Sequence, residues 1–394
     1  MPPLPPKQAV APVVNSLFVL AAENSAETYA TQVVEEFKRQ YPDTVIFGVG
    51  GDKLEQAGME LTLHNREFSI VGIIEVLSSI FKLKKYMNLL VKEVKRRKAD
   101  AVLLVDYPDF NLRLAKKFKK AGIPVYYYIS PTVWAWRYSR VNVIKRYVDH
   151  MFIIFPFEVD IYQREGIPFT YTGHPMVPRI QVTEEREEFR RRNRLEEEKT
   201  VITLLPGSRK SEVSVLLPQM LKAASILAYR RDARICLLKA HNIDRSLIQT
   251  CLEQSGTTVD VFQQDRGYDL INASDLVITT CGTSNLEIAM LGVPFCAVYQ
   301  VNALSYLLGK NFLKISLYSI VNILAGKEVV KELIQQDFNV QNMVKEALRI
   351  LDSPEVRDRM KGEFAGIRKQ LTQNQNPPQL IVKTIAGGLD SPEI

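Results

Sequence analysis

The chain has 394 residues, 46% apolar and 24% charged, an ordinary globular composition long enough for two domains of roughly 150–200 residues. Lys and Arg number 51 against 44 Asp and Glu, a formal charge of +7, which admits nucleic acid, anionic lipid or phosphorylated substrates as partners. Four cysteines without a C-x-x-C pair and four histidines without metal-site spacing exclude a disulfide or zinc framework, so neither a metal nor a cofactor is expected.

The opening stretch MPPLPPKQAVAPVV is Pro-rich, has no basic segment leading into an apolar one, and reads as a disordered tail over 1–14. Strand-like SLFVLAAE then precedes helix-patterned SAETYATQVVEEFKRQYP, and VIFGVGG follows. In FSIVGIIEVLSSIFKLKKYMNLLVKEVKRRK (68–98), Ile70, Ile73, Ile74, Leu77, Ile80 and Phe81 recur at helical spacing. From Lys82 to Lys98 there are eight Lys or Arg against the single Glu93. Its most apolar part carries Glu75 and is too short to span a bilayer. It suits either a core stripe with solvated charges or a helix lying on an anionic membrane surface.

Further on come DAVLLVDYP, the helical LRLAKKFKKAG, IPVYYYIS and HMFIIFPFE. The stretch TEEREEFRRRNRLEEEK (183–199) is dense in charge and reads as a solvated helix or a hinge. A second series of strands follows it: TVITLLPGSR, ARICLLKA, TTVDVFQ, DLVITTCG and VPFCAVYQ. Runs this continuously apolar are buried on both faces, as in parallel sheets covered by helices. The expected fold is α/β, two Rossmann-like domains facing a central cleft. The expected boundaries are 15–182 for the N-terminal domain, 183–199 for a linker, 200–375 for the C-terminal domain and 376–394 for a tail. No G-x-G-x-x-G or Walker pattern is present.

Four stretches carry chemistry. LLVDYPDFN presents Asp106 and Asp109 at the lip of a buried strand, for turn geometry or for an active site. LLPGSRKSEV ends a strand in Gly207, Ser208 and Arg209, either a turn with a surface arginine or a phosphate contact. In DLVITTCGTSNLEIAML, Gly282, Thr283 and Ser284 open a helix at an anion-suited end, with Glu287 a turn inside for a ribose diol; the alternative is an ordinary capped turn. SPTVWAWRYSRV sets Trp134 and Trp136 beside Arg137 and Arg140, which is packing or a site for an anionic or sugar ligand.

Together SIVGIIEVL, DYPDFN, YYISPTVWAWR, FPFE, TGHP, LLPGSRKSEV, CGTSNLE and NILAGKEVVKELIQ, in this order over about residues 17 to 350, resemble the lipid-A-disaccharide synthase family. The resemblance implies an inverting, metal-independent GT-B glycosyltransferase that joins UDP-2,3-diacylglucosamine to 2,3-diacylglucosamine 1-phosphate (lipid X), giving a β-1,6 disaccharide and UDP. It implies that Arg209 meets the diphosphate, Glu287 the ribose, and that Asn322 lies near the nucleotide. It implies Asp106 as the general base, with His174 and Glu23 as weaker candidates. An enzyme with such lipid substrates would work peripherally on the cytoplasmic face of the inner membrane, with no nucleic-acid partner; a homo-oligomer is compatible with it. The family's first strand ends in G-E-A-S-G-D, whereas this chain reads AENSAE: Glu23 and Ser25 match, but Ala22, Ala26 and Glu27 replace both glycines and the aspartate. The added methyls are expected to narrow the room for a sugar. The alternatives are another UDP-GlcNAc-type GT-B enzyme or a diverged, inactive lipid-binding paralogue.

Overall fold

The computed structural model describes residues 14–68, 76–195, 199–300, 317–372 and 376–388. Two compact units divide the chain between Pro175 and Met176. The first runs β1 (Ser16–Ala21), α1 (Asn24–Gln40), β2 (Val45–Gly50), α2 (Asp52–Gln56), β3 (Glu60–His64), α3 (Val76–Arg96), β4 (Ala101–Val105), α4 (Pro108–Lys120), β5 (Val125–Tyr128), α5 (Arg140–Tyr147), β6 (His150–Ile153), α6 (Glu158–Glu165) and β7 (Phe169–Tyr171). Its strands form one sheet in the order β3-β2-β1-β4-β5-β6-β7, every pairing parallel.

Alternation explains the unbroken apolar runs. Phe18, Leu20, Val102, Leu104 and Tyr127 enter the core on one face of the sheet. Leu17, Val19, Leu103, Val105, Tyr126 and Tyr128 enter the core on the other. Gly48 has φ +147°, and a Cβ there would stand 2.0 Å from the Val19 carbonyl oxygen, so β2 can lie against β1 only with glycine at that point.

The second unit runs α7 (Arg186–Arg192), β8 (Val201–Leu205), α8 (Lys210–Arg231), β9 (Arg234–Lys239), α9 (Arg245–Ser255), β10 (Asp260–Gln263), α10 (Gly267–Ala273), β11 (Leu276–Thr280), α11 (Ser284–Met290), β12 (Phe295–Tyr299), α12 (Ile320–Ala325), β13 (Glu332–Ile334), α13 (Val340–Asp352) and α14 (Pro354–Leu371). Its sheet order is β10-β9-β8-β11-β12-β13, again parallel. Both orders are doubly wound. Strand order reverses between β1 and β4 in one unit and between β8 and β11 in the other, the points where such sheets bind ligands.

The boundaries differ from those expected. Over its described part, 183–195, the charged stretch packs as part of the second unit: Phe189 and Leu195 are core residues there. Arg186 and Arg190 bind Asp275 at 2.5 and 2.8 Å, and Asp269 accepts from the Thr183 and Glu184 amides. Charge density alone could not show those partners. The final stretch is not simply a tail either, because α15 (Pro377–Gly388) buries Ile381, Val382, Ile385 and Ala386 against α1 in the first unit. Residues 1–13 and 389–394 lie outside the described part, as do Ile70, Ile73, Ile74 and Glu75.

Helix α3 resolves half of its open question. Leu90 and Val94 are buried, with Leu83, Tyr86, Met87 and Val91 packed on the same core. That face is structural. Phe81 is nevertheless 73% exposed and Leu89 42%, beside exposed Lys82, Lys84 and Lys85. Among the described residues, no helix is long and apolar enough to cross a membrane.

Candidate active site

In the second unit Leu205 of β8 pairs with Thr279 of β11. The two strand ends singled out in the sequence are therefore neighbours, and they open onto one cavity of about 460 Å³ lined by Gly207, Ser208, Arg209, Gly282, Thr283, Ser284 and Glu287. Gly207 has φ +111°, and a Cβ there would come within 2.6 Å of Glu212 Oε2. Arg209 Nη1 donates to Glu212 Oε1 at 3.0 Å, yet its side chain is 76% exposed. Across the cavity, Tyr268 donates its hydroxyl hydrogen to Glu287 at 2.9 Å. Burial raises the Glu287 pKa, against the opposing effects of that bond and of the Arg179 charge.

The β11–α11 turn is braced from within. Asn285 Nδ2 donates to the Thr280 carbonyl at 2.8 Å, and the Thr279 and Ser284 hydroxyls share a 3.1 Å bond. Asn322 has a different task. It is fully buried, its amide donates to the Val330 carbonyl and Glu332, and its oxygen accepts from the Val329 and Val330 amides. With all its polar atoms engaged it braces the approach to β13 and does not line the cavity. A roomier cavity, about 600 Å³, opens at the opposite strand ends beside Arg186, Arg190 and Asp275. Sheets of this kind work at their carboxyl ends, so the smaller cavity is the candidate site.

In the first unit Ala21 of β1 pairs with Val105 of β4. The residue after Val105 is Asp106, with φ +51°, and Tyr107 follows at φ +47°. Two successive non-glycine residues in the left-handed region are strained, and hydrogen bonds hold them there. The Asp106 carbonyl accepts from Tyr127 OH at 2.6 Å and from Asn111 Nδ2 at 2.7 Å, while the Asp106 amide donates to the Tyr128 carbonyl at 2.9 Å. The chain turns sharply into α4, with Pro108 at its first position. Burial, and next the charge of Glu23, push the Asp106 carboxyl up to about 6, opposed by the Tyr107 amide.

Glu23 is thus brought to Asp106 across the strand reversal, and Ser25 is exposed just beyond it. The first-strand substitutions act otherwise than expected. The Ala22 and Ala26 methyls are buried in the cores on either face of the sheet, so they take no room from a sugar there. Glu27 is buried and accepts from the Lys53 amide and Asn65, both at 2.9 Å. His174 is buried against Phe155 and edge-on to Tyr29; burial pushes its pKa down to about 4, so it is neutral at pH 7. Asp109 does not cap α4: its Oδ1 accepts from Arg137 at 3.0 Å and Arg140 at 2.7 Å, and both guanidiniums lie over the Trp136 ring.

The sequence reading missed Tyr127, Asn111, Tyr268 and Glu212. For Tyr127 the signal was parity in the run YYY, which sends the middle tyrosine to the opposite face from its neighbours. Asn111 stood in plain view at the end of DYPDFN.

A nucleotide-sized cavity at one strand reversal and a raised carboxyl at the other frame the comparison with known proteins. The family described as lipid-A-disaccharide synthetase matches residues 17–383. The chain belongs to the lipid-A-disaccharide synthase family. It is a glycosyltransferase of lipid A biosynthesis. The lipid-A-disaccharide synthase of Geobacter sulfurreducens is 37% identical over 356 residues, covering 90% of this chain and 92% of that one. That of Myxococcus xanthus is 38% identical over the same length, covering 90% and 93%. Among solved structures, the Staphylococcus aureus MnaA–UDP complex superposes with a TM-score of 0.65 at 13% identity, covering 95% of this chain and 96% of that one. Acinetobacter baumannii MurG gives 0.56 at 14%, covering 94% and 99%. At such identities the likeness concerns the fold, which is GT-B.

Proposed function

We propose that this enzyme transfers the diacylglucosamine of UDP-2,3-diacylglucosamine to the 6-hydroxyl of 2,3-diacylglucosamine 1-phosphate, with inversion and without a metal. The supporting observation is the carboxyl of Asp106, raised to about 6 at the carboxyl end of β4. A base with that pKa is largely ionised at pH 7 and still basic enough to accept a proton in the transition state. Asp106 takes the hydroxyl proton as the acceptor oxygen attacks the anomeric carbon. The bond to UDP breaks in the same displacement, and UDP leaves with the electron pair. Arg209 swings from Glu212 to the diphosphate, the amides at Gly282–Ser284 face the developing charge, and Glu287 takes the ribose. Glu23 and Ser25 border the acceptor beside Asp106, with Asp109, Trp136 and Arg137 beyond them. His174 backs this wall as a neutral ring.

Both substrates carry acyl chains, so the enzyme meets them at the cytoplasmic face of the inner membrane. Exposed Phe81 with Lys82, Lys84 and Lys85 suits an anionic surface there. The test is direct: incubate the purified protein with both substrates in a chelator and follow UDP release and disaccharide by mass spectrometry. UDP release without disaccharide, or a requirement for magnesium, would overturn this reading.

A further inference from the structure

We propose that Arg137, Arg140 and Trp136 form a phosphomonoester subsite that takes the 1-phosphate of the acceptor sugar; this rests on the acceptor reading above. Arg140 is 7% exposed, and its Nη1 has no hydrogen-bond partner among the described residues. Its Nη2 donates to Asp109 at 2.7 Å. Leaving a guanidinium nitrogen buried and unpaired is costly, and a small shift of this side chain toward an anion held at the exposed Arg137 would relieve that cost. Arg137 is held at φ +51°, a left-handed conformation that a non-glycine residue adopts at a cost, and its side chain is 54% exposed. Its guanidinium centre lies 4.4 Å from the Trp136 ring centroid and that of Arg140 lies 4.8 Å from it.

Two like charges are therefore gathered on one indole, which Trp136 Nε1 fixes by donating to Thr132 Oγ1 at 3.0 Å. Asp109 offsets one of them. It binds both arginines through a single oxygen, so the cluster keeps one net positive charge and unused donors. A phosphomonoester brings a charge of about −1.5 to −2 and three acceptor oxygens, the partner that paired planar guanidiniums recognise best. The cluster also belongs to the same strand ends as Asp106. The charges of Asp106, Arg140 and Asp109 all act on the buried Tyr127 hydroxyl, which itself donates to the Asp106 carbonyl. A sugar whose hydroxyl lies at Asp106 would thus present its anionic substituent to the arginines.

The experiment compares two acceptors, 2,3-diacylglucosamine 1-phosphate and the same sugar without the phosphate. In the parent enzyme the phosphate should raise kcat/KM by about 10- to 100-fold, chiefly through KM. Arg137→Gln, at an exposed position, should shrink that ratio to within about threefold, and Arg137→Lys should restore part of it. Arg140→Lys should shrink it as well. A ratio unchanged in both Arg137→Gln and Arg140→Lys overturns the subsite while leaving the transferase intact. A second readout needs no turnover. The chain has two tryptophans, so its emission can be titrated with glucosamine 1-phosphate and with glucosamine. A response to the phosphate sugar alone, abolished by Arg137→Gln, supports the subsite even if no disaccharide forms, in which case the transfer reading fails instead. Equal responses to both sugars count against it.

Discussion

Replacing Asp106 by asparagine separates its chemistry from its place in the fold. The near-isosteric side chain keeps the backbone bonds to Tyr127, Tyr128 and Asn111 and removes only the charge. Turnover should fall by about 10²–10⁴ through loss of the general base, while UDP affinity stays as it was. Stability should move the other way. The folded-state pKa is about 6 against an ordinary 3.8, so between those values the native state binds the proton that the unfolded chain has released. Stability attributable to this group therefore falls as pH rises through that window, and the penalty is complete above it, at up to about 3 kcal/mol. Asparagine does not titrate. The variant should be more stable than the parent in urea at pH 8, with the difference shrinking toward pH 4. In the parent, the acid limb of kcat/KM should fall near pH 6, and Glu23→Gln should move it lower but not to 3.8, because burial remains the larger cause. Near-normal turnover in Asp106→Asn, or no gain in stability at pH 8, would refute the assignment.

Arg209→Ala should weaken UDP binding by about 1.5–3 kcal/mol in calorimetry, since it removes a charge-assisted contact; an unchanged affinity would move the diphosphate elsewhere. Gly207→Ala should add about 1–3 kcal/mol of backbone strain. It should also drive the Glu212 carboxylate from its place, so thermal stability and UDP affinity should fall together. Tyr127→Phe removes one of the two donors on the Asp106 carbonyl and should cost about 1 kcal/mol of stability. Its turnover should drop by more than that loss explains, measured well below the melting temperature. Phe81→Ser combined with Lys84→Glu should reduce flotation with anionic liposomes and leave the melting temperature near that of the parent, because both side chains are exposed; equal flotation at low and high salt would argue that α3 serves only the core.

Much of this was legible before any coordinates, for a physical reason. Strands buried on both faces have to be apolar at every position, so VLLV and LVIT announced parallel sheets, and the polar residues that end them announced the working edge. Adjacency was not legible. Nothing in the sequence says that Leu205 lies beside Thr279, or Ala21 beside Val105, because those pairings follow from strand order, which periodicity does not encode. The first-strand alanines were misjudged for the same cause: whether a methyl at position 26 points to ligand or to core depends on what packs over α1, and that includes a helix from the far end of the chain. Asn322 was placed near the nucleotide by its motif. Its bonds, all to the 330–332 strand and its approach, give this asparagine a structural task that its place in the sequence does not announce.

The two strand reversals meet opposite electrostatic demands. On the proposed reading the site in the second unit receives an anion, and it is built of flexible donors. Gly207 takes the left-handed conformation without strain, and the exposed Arg209 is paired with Glu212. On the same reading Asp106 in the first unit carries a negative charge where burial disfavours one, and is aimed by its backbone. Here the left-handed residues are Asp106 and Tyr107, neither of them glycine, and the strain of about 1–3 kcal/mol each is borne by a strand buried on both faces and by two donors converging on one carbonyl. Glycine at either position would relieve the strain and release the direction of the carboxylate with it. Fixed direction and a raised pKa thus come from the same local arrangement. A sequence optimised only for stability would have neither Asp106 nor the conformation that holds it.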